Sequence, residues 1–196
     1  MKYSEQDAQA VEQTVANFLA RFQPDFDYEP LLLYAALPLV LTAELLHYLR
    51  HRFVSGTPWV AEVDILLAGE LCHERGYEQY TMHSPIRSYL LQRAKQHPDI
   101  RIEDAARLMI QYLHAFARSQ PFSTYTDMQM QQWSALAFIK DMQSTVVNEI
   151  VHTFDANLEL QLDKGEENNP ELKRLVALAE QLAPELEAIR KLGCWR

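Results

Sequence analysis

Glycine is scarce in this chain, with five residues in 196 against nine prolines. That is well under the usual ~7%, which disfavours folds that spend glycine on hairpin turns, phosphate-binding loops or barrel corners. Cysteine is scarcer still. Cys72 and Cys194 are the only two, and neither belongs to a CxxC or CxxH motif, so a reducing, cytoplasmic setting is expected rather than a disulfide framework. Long apolar runs are also missing. The longest, Leu31 to Leu41, covers eleven residues and contains Pro38, whereas a membrane helix needs about 20. Met1 to Gln13 is polar and lacks the basic and apolar regions of a secretion signal, so mature protein is expected from the first residue. Nor is there an excess of positive charge. The net charge of −9 is spread over both halves of the chain, so nucleic acid and anionic membranes are not expected partners.

What is present is a soluble-type composition, 48% apolar and 23% charged, enough for one core at roughly 150 residues per domain. Helix punctuation dominates. Ser4 with Asp7 resembles a capping box ahead of an apolar stripe through Val11, Val15, Phe18 and Phe22, a helix ended by Pro24. Tyr28 to Leu37 reads as a short helix stopped by Pro38, and Thr42 as the cap of a third reaching about Phe53. Thr57-Pro58, Ser84-Pro85 and Asn169-Pro170 each place a capping side chain before a proline at the first helical position. The first of these helices is expected to run to Arg75 and stop at Gly76, which leaves Gly69 as the one glycine inside a helix. The second is expected to stop before Pro98.

Further helices are read over Ile102 to Arg118, from a Thr126/Gln129 capping box to Ile139, and from Asp141 to about Leu162. An acidic loop, Asp163 to Asn169, precedes a last helix broken at Pro184 and closed near Gly193. No alternating β-branched run competes. The expectation is an all-α, irregular bundle of about eight helices, one domain over 1–196. Its core spans about 28–163, with a hairpin or kinked helix at 170–192 packed on it.

The sharpest chemical pattern is a pair of Glu-x-x-His spacings, Glu44/His47 and Glu70/His73. On helices, an i,i+3 pair projects both side chains to one side, the arrangement by which di-iron and di-manganese carboxylate bundles hold their metals. Such an enzyme is the alternative reading; capped helix ends and solvated histidines are the plainer one, with no cofactor. His47 and His51 lack the HExxH glutamate. Cys72 beside His73 is not a nucleophile and base pair if the two are neighbours on a helix. GxSxG, P-loop and GxGxxG motifs are absent. Aromatic and methionine side chains form a candidate partner interface: Trp59, Tyr77, Tyr80, Tyr125, Met128 and Trp133, with Met130 beside them in a Gln-rich stretch.

The stretch Ala35 to Leu46 (AALPLVLTAELL), Tyr48 to Arg50, and Pro58 to Leu67 (PWVAEVDILL) resembles a helical domain of cyanobacterial and actinobacterial multidomain proteins. Gly76 to Met82 and Gln131 to Phe138 fit the same pattern in order, so the resemblance covers about Tyr34 to Leu192. Domains of that kind accompany formylglycine-generating-enzyme-like or C-type-lectin-like domains, including the variable proteins of diversity-generating retroelements. They occur in systems that also encode a von Willebrand A (vWA) protein and a MoxR-type ATPase. The resemblance implies a non-catalytic interaction or adaptor module of a bacterial conflict or signalling system, with such a protein or an adjacent effector domain as partner. Self-association is compatible with it. No catalytic residues carry over. Similar proteins have a polar, non-His residue at the position of His47 and a Ser-like residue near Gly69, which weighs against the metal reading.

Overall fold

A computed structural model describes residues 5–116, 125–164, 169–183 and 186. Among them are nine α-helices and one two-stranded sheet. The helices are α1 (Glu5–Ala20), α2 (Glu29–Ala35), α3 (Ala43–Phe53), α4 (Val60–Leu67), α5 (Ser84–Gln96), α6 (Ile102–Phe116), α7 (Tyr125–Leu136), α8 (Gln143–Lys164) and α9 (Pro170–Leu182). The strands, β1 (Cys72–Gly76) and β2 (Gln79–Met82), stand between α4 and α5. A 3₁₀ turn at Lys140–Met142 leads into α8. The chain is therefore mostly helical, as its punctuation indicates.

One of the three proline-linked caps forms where the sequence places it. Asn169 accepts from the Glu171 amide at 2.9 Å. Ser84 is instead the first residue of α5, behind an N-cap at His83. Thr42, the cap without a proline, accepts from the Leu45 amide at 3.1 Å. Thr57 does not cap α4, whose N-cap is Trp59; its hydroxyl donates to the Asp27 carbonyl at 3.4 Å. The features assigned to Ser4, Pro184, Gly193 and Cys194 fall outside the described residues, as do the side chain of Thr126 and the acidic stretch from residue 165 to 168.

The largest departure from expectation follows Leu67. The α4 helix does not continue to Arg75. Ala68 takes up extended backbone, its carbonyl accepts from both Leu71 N and Cys72 N at 2.8 Å, and the chain enters a hairpin. Gly69 therefore lies in a turn with open space around it rather than at a close helix contact, and Gly76 ends a strand rather than a helix. The strands pair antiparallel, Cys72 with Met82, His73 with Thr81, Glu74 with Tyr80 and Gly76 with Gln79, with Arg75 as the extra residue of a bulge. A bulge re-aims its side chains. Glu78 turns the hairpin at φ 54°, a conformation few non-glycine residues adopt. The strand sequence Cys-His-Glu-Arg-Gly has little β propensity. Tertiary pairing compensates: Leu41 N donates to Tyr80 O at 2.8 Å and Tyr80 N to Leu41 O at 2.9 Å.

Two hydrophobic clusters form. The first gathers α1 to α6, the start of β1, the end of β2 and the end of α7 around the fully buried segment Leu31–Leu37. The second holds Met130, Trp133, Val146, Val147, Ile150 and the inner face of α9. Between them lies a buried polar seam. Gln131 Oε1 accepts from Leu39 N and Val40 N at 2.8 and 3.0 Å, while its Nε2 donates to Val40 O at 2.8 Å. Arg87 Nη2 donates to Leu37 O at 2.9 Å and to Ser134 Oγ at 3.1 Å. The proline-containing segment between α2 and α3 thus has its peptide groups satisfied by side chains of α5 and α7, as buried backbone requires. Met130, expected beside the candidate interface, is instead buried, and its neighbour Gln131 is completely so.

Candidate functional site

Three surfaces carry chemical character. The first is the outer side of α4. Trp59 and Leu67 are 68% and 66% exposed, and Val60 and Val63 are 38% and 42% exposed. Their spacing of three and four residues lines them along one helical stripe. Behind the stripe α4 is anchored by Ala61, Ile65 and Leu66 in the core. Glu62, buried, holds it to α3, accepting from Arg50 Nε and lying 3.1 Å from His47 Nδ1. On its other flank Asp64 accepts from the Tyr28 hydroxyl at 2.9 Å.

The other aromatic and methionine candidates separate. Tyr77, at the hairpin tip, is 78% exposed, Tyr80 is half-buried in β2, and Met128 is half-buried on α7. The Tyr125 side chain lies outside the described residues. Trp133 is a correction: it is 1% exposed in the second cluster, with its indole N–H donating to Glu149 Oε2 at 2.6 Å. An apolar side chain in a helix pattern cannot reveal which face it occupies when its polar neighbour, Gln131, is itself inside.

The second surface contains the Glu-x-x-His residues, and the fold does not bring the two pairs together. Glu44 accepts from the Tyr112 hydroxyl at 3.2 Å, and His47 faces Glu62. Glu70 lies in the turn before β1, 2.6 Å from Arg21 Nη2. His73 is on a strand, where the i,i+3 geometry of a helix is lost, and its ring stacks on His83 at 5.1 Å. Among the described residues no three His, Cys, Asp or Glu side chains are grouped to hold a metal. Cys72 and His73 are consecutive strand residues and point to opposite faces. Burial pushes the Cys72 thiol up to about 12, so thiolate is not accessible near neutrality.

The third surface was not legible in the sequence. A cleft of about 330 Å³ opens beside the polar seam, between the hairpin, the first turn of α5, α7 and α9. His73, Arg75 and Thr81 line it from one face of the hairpin, Ser84 and Arg87 from α5, and Arg174 from α9. Among the described residues, none of those lining it is a carboxylate. Thr81 Oγ1 is buried there with no hydrogen-bond partner. The arginines are widely separated in the sequence, so only the fold reveals their convergence.

No helix among the described residues is long and apolar enough to cross a membrane. Comparison with protein-family models, curated proteins and solved structures returns no match.

Proposed function

We propose that this chain is a non-catalytic helical interaction module that docks a protein partner or companion domain through the outer face of α4. The observation that carries the reading is the unpartnered stripe of Trp59, Val60, Val63 and Leu67. Two large apolar side chains about two-thirds exposed on one short, well-anchored helix are costly to leave in water and typical of interface centres. The acidic net charge suits a partner of basic character, which it would steer toward encounter. The resemblance to vWA–MoxR-associated domains adds the partner class: a vWA protein, a MoxR-type ATPase or a lectin-like domain, met in the cytoplasm.

The test is calorimetric titration of the chain with a vWA protein and a MoxR-type ATPase of the kind of system the resemblance implies. Binding by one of them is expected, weakened at least about tenfold in a Trp59→Ser/Leu67→Ser double variant. Because both side chains are largely solvent-exposed, the variant is expected to keep its thermal unfolding midpoint. Equal binding by the variant would remove α4 from the interface. Absence of binding by both proteins would overturn the partner assignment, and turnover of a small substrate by the purified chain alone would overturn the non-catalytic reading.

A further inference from the structure

We propose that His47 and His51 on α3 form a surface site for an imidazole-preferring divalent transition ion such as Cu²⁺, with Glu62 of α4 as the positioning carboxylate. The two histidines are four residues apart on α3, and residues so spaced on a helix are neighbours on one face. Their ring centroids stand 6.3 Å apart. Both side chains are exposed, so core packing does not oppose the small rotation that aims both rings at one ion.

Glu62 distinguishes this pair from two solvated histidines. It is buried, its Oε1 accepts from Arg50 Nε, and the same oxygen lies 3.1 Å from His47 Nδ1. An ionised carboxylate can only accept, so in the neutral imidazole Nδ1 carries the proton and Nε2 keeps its lone pair. Among the described residues, His47 Nε2 and both His51 nitrogens make no hydrogen bond. A carboxylate that fixes the tautomer and orientation of a histidine, and raises the basicity of its other nitrogen, is the usual support of a metal-binding imidazole. The support is itself held, because Arg50 also donates to the Thr57 carbonyl at 3.1 Å.

The surroundings admit a cation. Arg50 is engaged by Glu62 and Thr57, and Arg52, next to His51 in sequence, lines a separate cleft with Arg101 and Arg107. The net charge of −9 favours the approach of a positive ion. Two protein ligands leave the other positions to water, so the site is open, unlike a structural centre closed by four ligands. Neutral imidazole suits Cu²⁺, Ni²⁺ and Zn²⁺, of which Cu²⁺ binds most tightly. Mg²⁺ and Ca²⁺ take oxygen ligands instead. Glu44 is not needed for this site, since the relevant spacing is His47 to His51 and Glu44 accepts from the Tyr112 hydroxyl.

Cu²⁺, Zn²⁺ and Mg²⁺ are the probes, titrated calorimetrically into the full chain. Cu²⁺ is expected to bind at one such site with a Kd below about 0.1 mM, more tightly than Zn²⁺, and Mg²⁺ is expected not to bind there. His47→Gln and His51→Gln are each expected to weaken Cu²⁺ binding about tenfold or more. Each should also remove one of the two imidazole nitrogens from the electron paramagnetic resonance spectrum of the Cu²⁺ complex. His152→Gln, at an exposed histidine of α8, leaves both readouts unchanged. Both site histidines are exposed, so loss of folding is not expected, and circular dichroism of each variant checks this. Glu62→Gln is expected to weaken binding about ten- to a hundredfold. In the metal-free chain, nitrogen NMR of the His47 ring should show the Nδ1–H tautomer in the parent and a mixture in Glu62→Gln, because an amide donates as well as accepts. Binding of Cu²⁺ weaker than about 0.1 mM, or equally strong in both histidine variants, overturns the site. An unchanged affinity or an unchanged tautomer in Glu62→Gln overturns the positioning role of Glu62.

Discussion

The two hydrophobic clusters are built on different plans. The first is enclosed: Leu31 to Pro38 are buried without a break, with α1, α3, α5, α6 and the hairpin packed around them. The second is a face-to-face contact of α7, α8 and α9, and α8 leaves Val151 and Leu158 about 40% exposed on its outer side. A sealed core tolerates loss of an outer contact, whereas a three-helix face depends on what joins it to its neighbour. Here that joint is polar. Gln131, Ser134 and Arg87 hold the segment Leu37–Val40, and the cleft lies against the same joint.

Cutting the seam is the strongest way to break this comparison. Gln131→Leu keeps the volume but leaves Leu39 N, Val40 N and Val40 O, all bonded to Gln131, without their partner. At ~1–3 kcal/mol for each buried group left unsatisfied, a loss of roughly 2–5 kcal/mol is expected in urea denaturation, after relaxation recovers part of the cost. Hydrogen exchange should then show α8 and α9 amides losing protection while α2 and α3 amides keep theirs. Equal loss throughout would mean that the two clusters unfold as one body and that the distinction is geometrical only.

Among the described residues, the groups that alkaline pH reaches through burial lie in the first cluster. Burial, reinforced by the hydrogen bond to Asp64 and its negative charge, pushes the Tyr28 phenol up to about 12. Burial and the Glu44 carboxylate do the same to Tyr112, up to about 12 against an opposing hydrogen bond from Thr42. Among the described residues the second cluster contains no tyrosine. In the unfolded chain these phenols ionise near pH 10. Between pH 10 and 12 the unfolded state therefore holds fewer protons than the folded one, and stability falls as pH rises. The stability in question is fully present below pH 10. About 3 kcal/mol per phenol is the upper scale of the loss, and Cys72, raised by burial from 9 to about 12, adds to it from about pH 9. Denaturation midpoints measured from pH 8 to 12 should fall less steeply in Tyr28→Phe and Tyr112→Phe. An identical slope in both variants would show that other groups control the alkaline limb.

The features legible in the sequence are those whose causes are local. The Thr42 cap, the Asn169-Pro170 start and the stop of α5 before Pro98 each depend on a few consecutive residues. The hairpin was missed because its strands gain their partner from Leu41, on the far side of α3, and no residue between Cys72 and Gly76 announces β structure. The seam of Gln131 and Arg87 has no local signature, because a polar side chain on a helix satisfies a buried carbonyl only when tertiary structure supplies one. Of the candidate interface residues, Trp59 and Tyr77 lie exposed, while Trp133 is buried. The cleft left no local signal, since Arg75 and Arg174 come from opposite regions of the chain.

The smallest effect compares the two caps, one in each region. Thr42 and Asn169 each satisfy one orphan amide at a helix start, and removal of such a cap costs about 1 kcal/mol. Their surroundings differ. Thr42 is buried, and its hydroxyl also lies 3.3 Å from the Tyr112 hydroxyl, so Thr42→Ala removes a cap and a buried tertiary hydrogen bond together. Asn169 is half-buried and makes its bond to Glu171 alone among the contacts described. Urea denaturation should therefore give a loss of ~1–2 kcal/mol for Thr42→Ala and ~0.5–1 kcal/mol for Asn169→Ala. Thr42→Ser, which keeps the hydroxyl, should recover most of the first loss. Asn169→Asp should match or exceed the parent, because a carboxylate favours the positive end of α9. If the two alanine variants lost equal stability, the closed packing around Thr42 would add nothing to its cap, and the contrast between a sealed core and an open helical face would not extend to the ends of their helices.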